Sequence, residues 1–308
     1  MTLSPCPERT VQANGIEICY EAFGSPSDPP LLLIMGLGGQ MISWDDGFCQ
    51  ALADQGLYVI RFDNRDAGRS TRFDQAPSPS TTDMIRATLF RSPLHAPYTL
   101  RDMADDAAGL LSALGIESAH LAGISMGGMI AQTVAIHHPD KVRSLISMMS
   151  SVGDPERGLL VRPKILLALL QAGPRDREAQ QERAVEIMRM ISGPGFPIDE
   201  ERVRAGAARS FERGAPPSGT ARQLAAIVAS GSRRQALGGI TAPTLVIHGE
   251  ADPLLSVEGG IATAKAIPGA KLLIIPGMGH GIPHAAAPQI VDAIIEHITA
   301  AEKGIVHG

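Results

Sequence analysis

The hexapeptide Gly123-Ile124-Ser125-Met126-Gly127-Gly128 constrains this 308-residue chain more than any other stretch. It joins an apolar run, Ala119 to Ile124, to a helical pattern that starts at Met126. Strand, sharp turn and helix are the context a G-x-S-x-G motif requires, because the tight turn lifts the serine hydroxyl clear of the sheet. The glycines two positions either side of Ser125 have a steric reason. The turn is strained, its flanking elements pack closely, and a Cβ at either position would clash. In a chain with 33 glycines the pentapeptide alone could be a chance match, and the strand before it and the helix after it argue otherwise.

The surrounding pattern places this turn in an α/β fold. Val11 to Phe23 reads as two strands joined by Asn14-Gly15, a strong hairpin signal. Leu31 to Met35 is a short, continuously apolar run, as expected of a central parallel strand covered on both faces. Trp44 to Gln55 can form a helix, and Tyr58 to Asp63 the next strand. Leu100 to Leu114 repeats apolar residues at helical spacing and stops at Gly115. Met126 to His137, stopped by Pro139, is a helix, and Val142 to Met149 a strand. Strands alternating with helices imply right-handed crossovers and a mostly parallel sheet.

Between Ser150 and Ser232 the pattern changes. Helical stretches (Leu159 to Gln171, Arg175 to Ile191, Asp199 to Arg213 and Thr220 to Ala229) follow one another with no central-strand run. Strands resume at Thr244 to His248 and Lys271 to Ile275, and Ala285 to Ala301 forms a closing helix. The expected organisation is a core over residues 1–153, an inserted helical cap over 154–234, and the rest of the core over 235–308. The irregular, Pro- and Ser-rich stretch 72–97 is expected to line the rim of a pocket.

A formal net charge of −5, with Lys and Arg scattered, points to no nucleic-acid or acidic-membrane partner. Met1 to Thr10 carries no basic-then-apolar signal, and no apolar run reaches the length of a membrane span. Cys6, Cys19 and Cys49 are few and odd in number, so a reducing cytoplasm is the expected location and structural filling their expected role. The charged loop Asp63 to Ser70 is expected to hold itself together with local ion pairs and bonds to the backbone.

A serine hydroxyl is a weak nucleophile near neutral pH and needs a base in hydrogen-bond reach, oriented by an acid. In hydrolases that carry G-x-S-x-G on such a strand-to-helix turn, the acid and then the histidine follow the serine in the chain, each just past a strand end. Past Thr244 to His248 comes Gly249-Glu250-Ala251-Asp252, and past Lys271 to Ile275 comes Pro276-Gly277-Met278-Gly279-His280. Asp252 and His280 are therefore the expected acid and base. Glu250 and Asp154 are competing acids and His284 a competing base. His137 and His138 suit a helix C-terminus, and His248 a core position. A tetrahedral oxyanion needs two preorganised donors. The N–H of Met126 and that of Leu37, in the glycine-rich loop Gly36-Leu37-Gly38-Gly39, are the candidates. Gly36-x-Gly38 lacks the third glycine of a dinucleotide fingerprint. With no P-loop, H-E-x-x-H or Cys cluster either, no cofactor and no metal are expected.

These residues resemble the α/β-hydrolase superfamily over essentially the full chain, and within it the LipG-type carboxylesterases and the anthracycline methylesterases. The resemblance is carried by Leu32-Leu33-Ile34-Met35-Gly36, Arg61-Phe62-Asp63-Asn64-Arg65-Asp66-Ala67-Gly68-Arg69-Ser70, Met103-Ala104-Asp105-Asp106, Gly123 to Gln132 and Pro276 to His280. It implies a cofactor-free serine hydrolase with Ser125, Asp252 and His280 as triad and Leu37 and Met126 as oxyanion donors. One departure is Met35 before Gly36, where many members carry histidine, so position 35 supplies no imidazole. The expected activity is hydrolysis of small to medium apolar esters through an acyl-enzyme. Alternatives on the same triad are a cofactor-free haloperoxidase or perhydrolase and an enol-lactone hydrolase. A catalytically silent ligand binder is the alternative from another class. The expected partner is a small-molecule ester.

Overall fold

The computed structural model describes residues 7–77, 83, 86, 94–154, 165, 168, 176–214 and 217–306. Cys6, most of the expected Leu159–Gln171 helix and much of the 72–97 stretch lie outside the described residues.

Among the described residues, eight strands form one sheet: β1 (Arg9–Ala13), β2 (Ile16–Phe23), β3 (Pro30–Ile34), β4 (Tyr58–Phe62), β5 (Ala119–Ile124), β6 (Val142–Met148), β7 (Thr244–Gly249) and β8 (Lys271–Ile275). Their spatial order is β1-β2-β4-β3-β5-β6-β7-β8. The first two pairings, β1 with β2 and β2 with β4, are antiparallel, and all others are parallel. The β1–β2 turn uses Asn14 at φ 49° and Gly15 at φ 75°, the paired left-handed residues that a two-residue hairpin needs.

Every residue of β3 is buried, and its side chains alternate between two cores. Leu32 and Ile34 pack with α2 (Leu100–Ala113) and α3 (Met126–His137), while Leu31 and Leu33 pack with α1 (Asp46–Ala53) and α9 (Ala287–Val306). Each such buried side chain contributes about 1.5–3 kcal/mol relative to exposure. Helix ends follow local chemistry. Asp45 caps α1 through the N–H groups of Gly47 and Phe48, and Thr99 with Asp102 forms a capping box on α2. Gly115, at φ 71°, lets the chain turn away after α2. A short 3-10 turn, His284–Ala286, precedes α9, so the closing helix begins two residues later than its apolar pattern suggests.

Between β6 and β7 the described residues contain helices and no strand: α4 (Arg177–Ile191), α5 (Glu200–Arg213), α6 (Pro217–Ser230) and α7 (Arg234–Leu237), with α8 (Val257–Ala266) following β7. Those before β7 reach the core through the loop after β4, and here the expectation of local ion pairs needs correcting. The loop does bond to nearby backbone: Asp63 accepts from Met41 N at 2.7 Å and Arg69 N at 2.9 Å. Its ion pairs, however, are long-range. Asp63 meets Arg213 of α5 at 2.7 Å, Arg65 meets Asp106 of α2 at 2.6 Å, and Asp66 meets Arg222 of α6 at 2.7 Å. Burial opposes the charge on Asp66, but hydrogen bonds from Arg222 and Tyr98 hold its carboxyl below the ordinary range. Charge buried this deeply needs a partner of opposite sign, and the neighbouring helices supply it.

Candidate active site

Ser125 occupies the turn from β5 to α3 at φ 58° and ψ −120°, a conformation that costs a non-glycine residue on the order of 1–3 kcal/mol. Surrounding bonds hold it there: its N–H donates to Met148 O at 2.9 Å, and its carbonyl accepts from Ser150 Oγ at 2.8 Å. A Cβ on Gly123 would stand 2.1 Å from Gly127 O, and one on Gly127 would stand 2.0 Å from Ile34 O of β3. Both obstacles are backbone, so the glycines of the motif are sterically required.

The loop after β3 lies against the serine. A Cβ on Gly36 would be 3.2 Å from Ser125 Cβ and 3.1 Å from Ile124 O, which brings Leu37 beside the turn. Among the described residues, neither Leu37 N nor Met126 N donates a backbone hydrogen bond outside the regular elements. Asn64 Nδ2 ties Met35 O at 2.9 Å, and Asp63 ties Met41 N at the far end. Met35 is buried and lines the cavity described below.

Asp252 and His280 meet above the ends of β7 and β8. His280 Nδ1 is 2.7 Å from Asp252 Oδ2, while Oδ1 accepts from Leu254 N at 2.8 Å and Leu255 N at 2.9 Å. Burial works against ionisation of Asp252. The charge on His280 and hydrogen bonds from His248, His280 and Leu255 outweigh it and hold the carboxyl at about 2. His248, fully buried on β7, lies with Nε2 2.9 Å from Leu255 O and 3.4 Å from Asp252 Oδ2. The competing acids are engaged elsewhere: Glu250 accepts from Gly277 N at 3.2 Å, and Asp154 pairs with Arg234 at 2.6 Å. His284 is exposed on its 3-10 turn, and His138 bonds Asp105 at 2.7 Å at the end of α3.

Sequence reasoning missed what grips the His280 loop. His280 N donates to Ile191 O at 2.8 Å, and Gly195 N donates to Gly277 O at 2.9 Å. A Cβ on Gly279 would stand 2.2 Å from Gly193 N. The only sequence signal was a glycine on each side, Gly193-Pro194-Gly195 and Gly277-x-Gly279. The segments that follow β6 and β8 meet at Met149, whose Sδ accepts from Gly281 N at 3.2 Å, and its neighbour Met148 pairs with Ile124. The structure thus brings Asp252 to His280 and the glycine loop to Ser125. It forms no Ser125–His280 hydrogen bond among the described residues. Such bonds are often long without substrate and tighten in the reacting complex.

A cavity of about 1500 Å³ opens beside this turn. Its lining includes Leu37 and the chain neighbours of Ser125 and His280 (Ile124, Gly279 and Gly281), with Trp44, Phe48 and Val203 among its apolar residues. Two lining residues, Trp44 and Gln180, carry buried polar atoms (Nε1 and Oε1) with no hydrogen-bond partner among the described residues. No group of three or more His, Cys, Asp and Glu among the described residues could hold a metal ion. No described helix is long and apolar enough to cross a membrane.

A family model for the alpha/beta hydrolase fold matches residues 29–284. The chain belongs to this family. Among its relatives is rhodomycin D methylesterase DauP of Streptomyces sp. (strain C5), 31% identical, with 96% of this chain and 99% of the relative covered. Rhodomycin D methylesterase DnrP of Streptomyces peucetius is 30% identical at the same coverage. The crystal structure of an enol-lactonase from Burkholderia xenovorans LB400 superimposes with a TM-score of 0.72 at 24% identity, over 94% of this chain and 100% of that one. This last likeness is one of fold.

Proposed function

We propose that this α/β hydrolase is a serine-dependent carboxylester hydrolase. The observation that carries the reading is the strained Ser125 turn on the same sheet edge as the Asp252–His280 pair. Ser125 Oγ attacks the ester carbonyl while His280 accepts its proton. Asp252 fixes the imidazole through Nδ1 and stabilises the imidazolium. The Leu37 and Met126 N–H groups stabilise the oxyanion. His280 then protonates the departing alkoxide, and water, deprotonated by His280, releases the acid from the acyl-enzyme.

In this reading residues 154–234 form a cap, and the cavity beneath it holds the bulk of the substrate. Pockets for drug-sized ligands measure about 300–1,000 Å³, so about 1500 Å³ supports an ester larger than the small ones a bare triad accepts. Similarity to two methylesterases over 96% of the chain supports methyl esters, and the cavity with Trp44, Phe48 and Val203 in its lining supports bulky, mainly apolar acids, as the class to try first. A chain-length series of p-nitrophenyl esters and a panel of such methyl esters would rank these choices.

A silent ligand binder draws on one observation, that Ser125 and His280 form no hydrogen bond among the described residues. Against it stands the strain kept at Ser125, which a binding protein has no need to maintain. Ser125→Ala tests the choice: the variant is expected to fold and to hydrolyse p-nitrophenyl esters at least about a thousand-fold more slowly. Burst-phase acylation retained in that variant would refute the proposal.

A further inference from the structure

The loop Gly36-Leu37-Gly38-Gly39 is a turn closed by Gly39 N donating to Gly36 O at 3.2 Å, with Gly38 at φ 68°. Its two ends are tied to the loop after β4, through Asn64 and Asp63. Its middle is tied to a different part of the chain. Gly38 N donates to Gln223 Oε1 at 2.8 Å, and Gln223 Nε2 donates to Arg65 O at 2.8 Å. Gln223 is fully buried on α6, with both ends of its amide engaged.

α6 meets these loops at more than one point. A Cβ on Gly38 would lie 2.8 Å from Thr220 Oγ1, one on Gly219 would lie 2.2 Å from Asp66 O, and Arg222 clamps Asp66. A side chain in this place does two things to the turn. It fixes the Leu37–Gly38 peptide plane, and with it the orientation of the peptide before, which carries Leu37 N–H. It also occupies Gly38 N–H and, with Gly39 N–H bonded to Gly36 O, leaves Leu37 as the one residue of Leu37-Gly38-Gly39 whose N–H has no hydrogen bond among the described residues.

We propose that Gln223 is a positioning residue for ester hydrolysis: it sets the oxyanion loop from the helical insertion, so that the hole is complete only while α6 is docked. This rests on the hydrolase reading above. It goes beyond that reading by making the helices over the site part of transition-state stabilisation as well as substrate choice. Removing an oxyanion donor outright costs about 10²–10³ in kcat. A displaced donor costs less, and about 10- to 100-fold is expected here.

The test compares wild type with Gln223→Leu, which removes donor and acceptor at similar volume, and Gln223→Glu, which keeps the acceptor for Gly38 and loses the donor to Arg65. With a p-nitrophenyl ester, Gln223→Leu should lower kcat by about 10- to 100-fold with KM within about twofold, and Gln223→Glu should fall between it and wild type. Affinity for a reversible trifluoromethyl ketone, which forms an oxyanion on Ser125, should weaken by the same factor as kcat/KM. Should both variants fail to fold, slow hydrogen exchange at the wild-type Gly38 amide is the expected sign of the bond, and fast exchange overturns the proposal. Unchanged kcat in a folded Gln223→Leu, or raised KM with unchanged ketone affinity, overturns it too. Wild-type protein that neither hydrolyses esters nor reacts with a fluorophosphonate would overturn the hydrolase reading, and this role with it.

Discussion

Arg213 and Asp63, 150 residues apart in the chain, meet at 2.7 Å with both side chains almost wholly removed from water. Arg213 also reaches Glu8 at 2.8 Å, so one guanidinium joins α5 to the residue just before β1 and to the loop after β4. Removing one partner of a buried pair leaves the other uncompensated, at about 3–5 kcal/mol. Arg213→Met should lose stability on this scale in urea unfolding at neutral pH. Adding Asp63→Asn should recover part of it, and a loss in the single variant below about 1 kcal/mol would show that the pair does not anchor α5.

Two glycines should respond in opposite directions. In Gly127→Ala the new methyl would lie 2.0 Å from Ile34 O, backbone that cannot retreat without unzipping β3. A loss of more than about 4 kcal/mol, or no folded protein, is expected. Gly206 lies inside α5, and a methyl added there would meet nothing within 4 Å. Gly206→Ala should therefore gain about 0.5–1 kcal/mol. Thermal unfolding of the two variants checks both signs.

In the proposed mechanism, Asp252→Asn keeps the shape of the acid and removes the charge that fixes the His280 tautomer. A fall in kcat of about 10⁴ with an intact fold is expected, by the precedent of an aspartate-to-asparagine change in a serine-protease triad. A loss under tenfold would show that the carboxylate is not coupled to the base.

Acid stability should change in two windows. Asp252 is held at about 2 in the folded protein, against 3.8 for an ordinary aspartate. Its folded value is the lower one, so its contribution is present above about pH 4 and is lost as pH falls from 3.8 towards 2. It amounts to about 2 kcal/mol. His120 is fully buried, 2.8 Å from Ser144 Oγ, and burial lowers it from 6.5 despite the nearby Glu302. There the unfolded chain binds the extra proton, so stability should already begin to fall as pH drops below about 6.5. Urea unfolding at pH 7, 5.5 and 3 should show both losses. His120→Gln should reduce the loss in the upper window, which His297, also lowered by burial, shares, and Asp252→Asn should reduce the loss in the lower, which Asp66 shares.

The parts of this molecule that sequence revealed are those governed by short-range rules. The Asn14-Gly15 turn, the all-apolar β3 and the Gly123–Gly127 brackets around Ser125 each follow from residues within a few positions of one another. Asp252 and His280 were legible because each follows a strand end, and the structure joins them at 2.7 Å. What stayed hidden is the long-range pairing. Nothing in the spacing of Arg213, Arg222 and Gln223 says that they face Asp63, Asp66 and Gly38, because those distances are set by how the helices after β6 fold back. The clasp of Ile191 and Gly195 on the His280 loop is backbone to backbone, so side-chain identity gives no sign of it beyond the glycines that permit the approach.

Everything proposed for this site requires Ser125 to be an activated nucleophile, and intact-protein and peptide mass spectrometry after treatment with a fluorophosphonate measures that most directly. One adduct per chain, located on Ser125 and abolished in Ser125→Ala and strongly slowed in His280→Ala, is the predicted result. A folded protein that remains unmodified, or an adduct on another residue, would contradict it.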